Sequence, residues 1–583
     1  MKCTFRILIL LFVVLKNMFF TSFLATFFIY LIRIHESHLT DPIPLELGVH
    51  LFVDNKYIQN RSSLEFQNGL IQKNTNDPII FPEYPWEAAV YFYTSFVQVP
   101  AELSITSKPM FLIYYGCASA DTIIYFDEVH VCVASSLDGL IWEKPKLWYY
   151  PYQENQTQSV QPTNRIFKTE VNEFIGAVFI DTRPGIPRSE VFKMTYENEP
   201  VRYVYVATSS DGFNWTAGTE PVNPIRGLAD TQTVMLYSPE NGGEYVLYGR
   251  RDLNVPNSTV ECPGATPAFR RVMVVLSNDS IYGPWTDQIE AFQLGAPDPI
   301  QCFDNYNPAT LYYKDVYFLF PSGFRHWASA DSGAPPPLAT AYDGVMEIRL
   351  AVSRTAIGPF TFPTRDPFIP RGIGDIDPIS KILNATGSDR DTGLLFASAN
   401  GLFDPDFLLQ SSSSDADENP SAWMYHLYWG SQTTHGSGAY LGRYWPGAFS
   451  GIFKARIRRE GYVALSTSPS NPTGYGSLLT QILSLPSINS QLQMKINAEI
   501  ATAGFVQVQF EDGITGNPIS GYTFNECKQL HGNGIRQLLE WSRQNGTIYS
   551  SDLSSLINYP GGIRIRINMV HTKLYSWFLS STH

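Results

Sequence analysis

Four copies of one short element, set at even intervals, constrain this chain more than any other feature of it. Val133-Ala-Ser-Ser-Leu-Asp-Gly-Leu-Ile-Trp142 is echoed by Val206-Ala-Thr-Ser-Ser-Asp-Gly-Phe-Asn-Trp215. Val275-Leu-Ser-Asn-Asp-Ser-Ile-Tyr-Gly-Pro-Trp285 and Ala351-Val-Ser-Arg-Thr-Ala-Ile-Gly-Pro-Phe360 follow. With Ser136, Ser209, Ser277 and Ser353 taken as equivalent, the steps are 73, 68 and 76 residues. In each copy a strand ends at Ser, a short turn reverses the chain, and an aromatic returns to the core. Arg458-Arg-Glu-Gly-Tyr462 reads as a fifth, degenerate copy, displaced by an insertion that includes the Ser/Asp run Ser411–Asp417. A period of about 70 residues is too long for WD or kelch units and suits four-stranded propeller blades with long loops.

The rest of the chain agrees with an all-β reading. Short apolar and aromatic runs such as Met110–Tyr115, Thr310–Leu319 and Ala422–Trp429 recur between Gly, Pro, Asn and Asp clusters. Past residue 40, helical periodicity shows only at Gly534–Ser542. The Ser/Pro/Gly-rich stretch Ser466–Ser477 reads as a linker, and Leu492–Ile496, Phe505–Phe510, Tyr522–Phe524 and Ile563–Met569 predict a second strand-rich module. The expected architecture is a five-bladed β-propeller over 81–466, preceded by a lead-in over 41–80 that packs on it, and followed by a C-terminal β-sandwich over 467–583.

Residues 1–40 read as a hydrophobic signal-anchor helix or a signal peptide: Lys2 and Arg6 precede Ile7–Leu15 and Met18–Ile32, and Arg33 closes them. Lys16 interrupts the span, and no small-residue cleavage site follows. Positive charge ahead of the segment predicts a cytoplasmic N-terminus and a lumenal or extracellular bulk, anchored to the membrane or secreted. Seven N-x-S/T sequons, opened by Asn60, Asn155, Asn214, Asn257, Asn278, Asn384 and Asn545, suit that compartment. A net charge of −13 without a Lys/Arg-rich run excludes a nucleic-acid partner. No cysteine lies in a zinc-binding spacing. Cys117 and Cys132 flank a predicted hairpin, while Cys262 and Cys302 lie in loops of neighbouring blades; the second pair is the favoured bridge.

Several segments together resemble glycoside-hydrolase-like proteins built on the five-bladed propeller of the arabinanase/levansucrase/invertase superfamily. They are Leu51-Phe-Val-Asp-Asn-Lys-Tyr-Ile58, Pro85-Trp-Glu87, Phe179-Ile-Asp-Thr182 with Phe192-Lys193, Arg365-Asp-Pro-Phe-Ile-Pro370, His435 and Arg458-Arg-Glu-Gly-Tyr-Val-Ala-Leu465. In the C-terminal module Gly504–Cys527 and Leu574-Tyr-Ser576 also match. The resemblance runs from about residue 48 to the end and implies the fold and a carbohydrate ligand. The family pattern carries Asp where Glu460 stands, in a loop read as structural. Acid motifs of glycoside hydrolase families 32, 43 and 68 are not in their places. There is no Asn-Asp-Pro-Asn-Gly segment, and Arg365-Asp-Pro367 and Glu261-Cys262 stand elsewhere in the blades. A calcium ion beside a channel histidine is implied by resemblance alone; the residues themselves require no cofactor or metal.

In a propeller the first strand of every blade lines the axis, so acids just ahead of those strands converge on one mouth. Glu87, Asp230, Asp304 and Asp377 hold such positions, and Asp181 closes an apolar run at one rim or the other. Glycoside cleavage needs two carboxyl groups, one protonated and one ionised, flanking the bond. Crowded acids raise one another's pKa, which keeps one protonated near neutral pH. Any of these acids can instead cap a turn. Arg250, His326, His435 and Trp86 are candidate sugar contacts. The expected function is hydrolysis or transfer of glycosyl units; the alternative is a lectin-like ectodomain that only binds glycan.

Overall fold

The computed structural model describes residues 41–118, 129–168, 176–198, 203–222, 232–253, 270–286, 289–290, 303–326, 344–373, 375–376, 383–384, 389–408, 420–432, 449–468, 470–543 and 548–582. They are almost wholly β. The expected anchor over 1–40 lies outside them, and among the described residues no helix is long and apolar enough to cross a membrane.

Five antiparallel meanders follow one another. The first holds Ala89–Val99, Met110–Ala118, His130–Ser136 and Arg165–Lys168. The second holds Val178–Ile180, Phe192–Asn198, Tyr203–Ser209 and Trp215–Thr216. Val234–Ser238, Glu244–Leu253, Arg270–Asn278 and Ile289–Glu290 make the third. In the fourth, Phe303–Tyr313 and Val316–His326 are joined by a split third strand, Gly344–Ile348 and Ala351–Ser353. The fifth consists of Leu394–Phe403, Trp423–Ser431 and Ser450–Arg458. The first strands of successive sheets touch in chain order, and the fifth returns to the first through a parallel bridge, Ala399 to Ser95. The ring is closed. Strands inside it are buried on both faces, as Met110–Ala118 is throughout, and this is why they read as unbroken apolar runs.

The four repeat serines all lie at the C-terminal end of the third strand of their sheet. Ser209 Oγ accepts the N–H groups of Asp211 and Gly212 at 3.2 and 2.9 Å. Asp211 Oδ1 in turn accepts those of Phe213 and Asn214 at 2.8 and 2.9 Å. Ser136 and Asp138 repeat the pattern on Gly139, Leu140 and Ile141. Both turns need a residue at positive φ, +70° at Gly139 and +81° at Gly212, which glycine adopts without strain. Ser209→Ala is expected to cost about 1 kcal/mol, the value of a lost cap, read as a lower urea midpoint.

The lead-in is not a passive cover. Ile71–Lys73 supplies the outer strand of the fifth sheet, pairing with Ala455–Ile457. Gly48–Leu51, Ile58–Ser62 and Leu64–Asn68 pair instead with C-terminal strands. Those strands belong to a ten-stranded sheet dominated by Gln491–Asp512 and Ile563–Thr582, antiparallel along their whole length. Register shifts at Asn497/Ala498 and between Ile500 and Phe505 interrupt the long pair. Trp541, Trp577, Phe510 and Met569 pack the core of this module. Gly534–Ser542, the one helical periodicity, lies instead in the strands Asn533–Leu538 and Trp541–Arg543. Cross-strand pairing overrides a short local pattern here.

Arg458–Glu460 ends the third strand of the fifth sheet and bolts the modules together. Arg459 grips Asp404 with both terminal nitrogens (2.9 and 2.5 Å) and Asp406 at 2.8 Å, just after the first strand of the fifth sheet. Arg458 donates to Asn497 Oδ1 at 2.7 Å and Gly534 O at 2.8 Å. Glu460 accepts two bonds from Arg536 (2.6 and 3.0 Å), one from Ser576 (2.5 Å) and one from Asn497 (3.2 Å).

The bridge among the described residues is Cys117–Cys132, not the favoured pair; Cys262 and Cys302 lie outside them. Register explains it: Cys117 faces His130 and Tyr115 faces Cys132, so the cysteines are diagonal neighbours with Cα atoms 5.9 Å apart. Cys132→Ser is expected to lower stability by roughly 3 kcal/mol through the freed 15-residue loop, measured by urea unfolding.

Candidate functional site

The axis of the ring is polar and closed. Ser95 Oγ bonds both the O and the N–H of Val178 (2.9 and 3.0 Å), tying the first strand of the first sheet to that of the second. Gln232 Nε2 donates to Thr94 O at 2.9 Å, and Asn307 Nδ2 donates to Gln232 Oε1 at 3.1 Å. Ser322 Oγ reaches Asn307 Oδ1 and Leu395 O (2.5 and 2.9 Å), and Thr94 and Ser398 share a 2.5 Å bond. All five sheets therefore contribute to one network, and its side chains are fully buried and satisfied. Sequence reading passed over these residues. Their signal is short uncharged polar groups set inside apolar strands: Tyr93-Thr-Ser-Phe96, Tyr306-Asn-Pro308, Ala397-Ser-Ala399.

Beside this plug lie rings from three sheets: Tyr93 packs on Phe396 (5.3 Å), Phe396 on Trp429 (5.6 Å), and Tyr306 on Phe396 and Phe324 (5.9 Å each). Arg250, one of the expected sugar contacts, comes from the third sheet and lies 5.0 Å over the Tyr306 ring, almost wholly buried.

Two expected acids are fully described, and neither is presented to a mouth. Glu87 ends the turn Pro85–Glu87 and is completely buried. Its carboxylate accepts from Tyr115 OH (2.6 Å), Lys144 Nζ (2.7 Å) and Asn164 Nδ2 (3.2 Å). Burial pushes the Tyr115 phenol well up, and the neighbouring Glu87 charge adds to it, so it stays a donor. Lys144 lies in the connection after the third strand and Asn164 just ahead of the fourth, so Glu87 is tied to the connecting segments of the first sheet. Asp181 follows its first strand where Glu87 precedes its own, so the two sit at opposite strand ends. It accepts from Tyr245 OH at 2.6 Å and is ion-paired with buried Lys193 at 2.9 Å. Both carboxylates serve as anchors between packed strands rather than as free proton-transfer groups.

Trp86 is likewise a wall, not an open platform. It is buried, donates Nε1–H to Asn164 Oδ1 at 2.8 Å and stacks on Tyr84 at 4.7 Å. With Tyr84, Lys146, Gln161 and Thr163 it lines a cleft of about 210 Å³, where Tyr84 carries the exposed face.

Asp304 lies inside the strand Phe303–Tyr313, opposite Phe324, rather than ahead of it; its side chain is outside the described set, as is that of His326. Asp230, Asp377 and His435 also lie outside the described residues. The first strand of the fifth sheet begins at Leu394, so the position just ahead of it does not fall to Asp377. The acid just before that strand is Asp391, which holds Lys73 of the closing strand at 2.6 Å and Tyr428 OH at 3.0 Å. Among the described residues no three His, Cys, Asp or Glu side chains are grouped to hold a metal ion.

No protein-family model matches the chain, and no curated protein matches it. Among the solved structures it resembles are glycoside hydrolases. One is a thermostable family-43 glycoside hydrolase, 14% identical with a TM-score of 0.35, over 67% of this chain and 97% of that one. Another is a glycosyl hydrolase from Bacteroides ovatus (14%, TM-score 0.39, 67% and 94%). A GH62 hydrolase in complex with xylotriose matches at 10% with a TM-score of 0.36, over 69% and 100%. Likeness at this level says nothing of substrate or mechanism.

Proposed function

We propose that the chain is a glycoside-hydrolase-like ectodomain, a five-bladed β-propeller with a C-terminal β-sandwich, which hydrolyses or transfers glycosyl units at one mouth of its axis. One observation carries the reading: Gln232 and Asn307 place their amides on the axis, and Asp230 and Asp304 precede them by two and three residues. Two carboxyl groups at one mouth, one protonated and one ionised, are the minimum for acid-assisted glycoside cleavage. Asp230 is the preferred proton-transfer group, Asp304 its partner, and Arg250 the contact that orients the sugar.

A second reading, a glycan-binding ectodomain without turnover, is favoured by the ion pairs that occupy Glu87 and Asp181. A lumenal or extracellular location anchored by residues 1–40 is part of the same proposal. The Cys117–Cys132 bridge supports it, because structural disulfides persist in oxidising compartments. The test is a screen of aryl-glycosides and of plant and microbial polysaccharides. Released sugar supports the enzyme; retention on a polysaccharide gel without release supports the lectin; the absence of both overturns the functional reading.

A further inference from the structure

The function leaves the seven sequons unused, and the fold separates them. Asn155 lies on an exposed loop, where its Oδ1 accepts Thr157 Oγ1–H and the Thr157 N–H (2.6 and 3.0 Å). That leaves Nδ2 without a partner among the described residues. Asn214 is exposed, and only its backbone N–H is engaged, with Asp211. Asn60 is exposed on the strand Ile58–Ser62, its side chain unbonded among the described residues. Asn278 is different. It is half-buried in the third copy of the repeated turn; Nδ2 donates to Pro284 O, and Oδ1 accepts the Ser280 N–H at 2.8 Å. Both ends of its amide hold the turn closed. The side chains of Asn257, Asn384 and Asn545 lie outside the described residues.

We infer that Asn60, Asn155 and Asn214 are N-glycosylation sites and that Asn278 is not, an inference that rests on the lumenal location proposed above. The donor is a lipid-diphosphate-linked oligosaccharide. Asn Nδ2 forms a bond to its anomeric carbon, the lipid diphosphate leaves with the bonding pair, and one amide proton passes to a base of the transferase. A bulky polar glycan is accommodated only where the amide already faces water. At Asn278 it would have to replace the bond that closes the turn.

The full chain is expressed in a eukaryotic secretory host, and its location is read by protease protection in sealed microsomes. Glycans are removed by peptide N-glycosidase in heavy-oxygen water, which turns each occupied Asn into labelled Asp for peptide mass spectrometry. The expected result is a protected chain with label at 60, 155 and 214 and none at 278. A protected chain with label at 278, or with any of the three exposed sites bare, overturns the assignment and leaves the compartment standing. A chain digested in sealed microsomes with every sequon bare overturns both.

Discussion

Glu460→Ala is expected to destabilise the protein by roughly 3–5 kcal/mol, the penalty for removing one partner of a buried ion pair. Glu460 is 1% exposed, and its loss removes the carboxylate that balances the Arg536 charge and accepts from Ser576 and Asn497. Chemical unfolding should show a lower midpoint and, if the modules separate first, two transitions instead of one. The residue also sits at φ +59°, where a side chain is disfavoured. Glu460→Gly should therefore recover about 1 kcal/mol of the loss seen with Ala. A Glu460→Ala protein as stable as the parent would show that the modules are held elsewhere.

The pH dependence follows from the same contacts. Burial opposes ionisation of Glu460, but the Arg536 charge and the hydrogen bonds of Arg536, Ser576 and Asn497 outweigh it and hold the carboxyl below its ordinary range. A depressed folded pKa contributes stability that is complete above the unfolded value of about 4.3 and is lost as pH falls through the folded one. Acid unfolding below about pH 4 should therefore lose part of its steepness in Glu460→Gln.

Asp230→Asn is expected to keep the fold and any glycan binding while slowing turnover by ~10²- to 10⁴-fold, the scale of a positioned proton-transfer group. The comparison is made on whichever substrate the screen returns, with kcat and KM measured separately. An unchanged KM with collapsed kcat identifies a group that acts in the transition state. If Asp230 only caps a turn, the same substitution costs about 1 kcal/mol of stability and leaves the rate nearly alone. A well-folded Asp230→Asn protein with parental kcat removes the residue from the mechanism.

The repeat was legible because its chemistry is local: a serine, an aspartate and a glycine two or three residues apart close a turn whatever lies around them. Strand runs were legible for the same reason, since burial on both faces leaves unbroken apolar segments such as Met110–Ala118. What the sequence hides is direction. Glu87 and Asp181 stand beside first strands, yet their partners, Lys144 from a connecting segment and Lys193 from a second strand, turn both carboxylates into anchors. Nothing near Glu87 in sequence announces Lys144. The resemblance paired Phe179-Ile-Asp-Thr182 with Phe192-Lys193, and the Asp181–Lys193 bridge gives that pairing a physical reason. Asp377 misled because the Pro/Gly-rich stretch after residue 363 offers several short apolar runs, and only the ring shows that the first strand starts at Leu394. Tyr522–Phe524 misled in the opposite way: Tyr522 packs the core from a turn rather than from a strand.

The closing strand Ile71–Lys73 has a consequence for biosynthesis. Its partner Ala455–Ile457 is made about 380 residues later, and Gly48–Leu51 waits still longer for Ser576–Leu579. At ~5–20 residues per second the ribosome needs roughly 20–80 s to span the first gap. Through that interval Ile71–Lys73 and Gly48–Leu51 lack their partners, and unpaired strand edges of this kind favour misassociation. The strands of the C-terminal module flank Ile71–Arg458 on both sides, so no contiguous fragment contains that module without the ring, and a chain cut anywhere before Ile563–Thr582 cannot complete it.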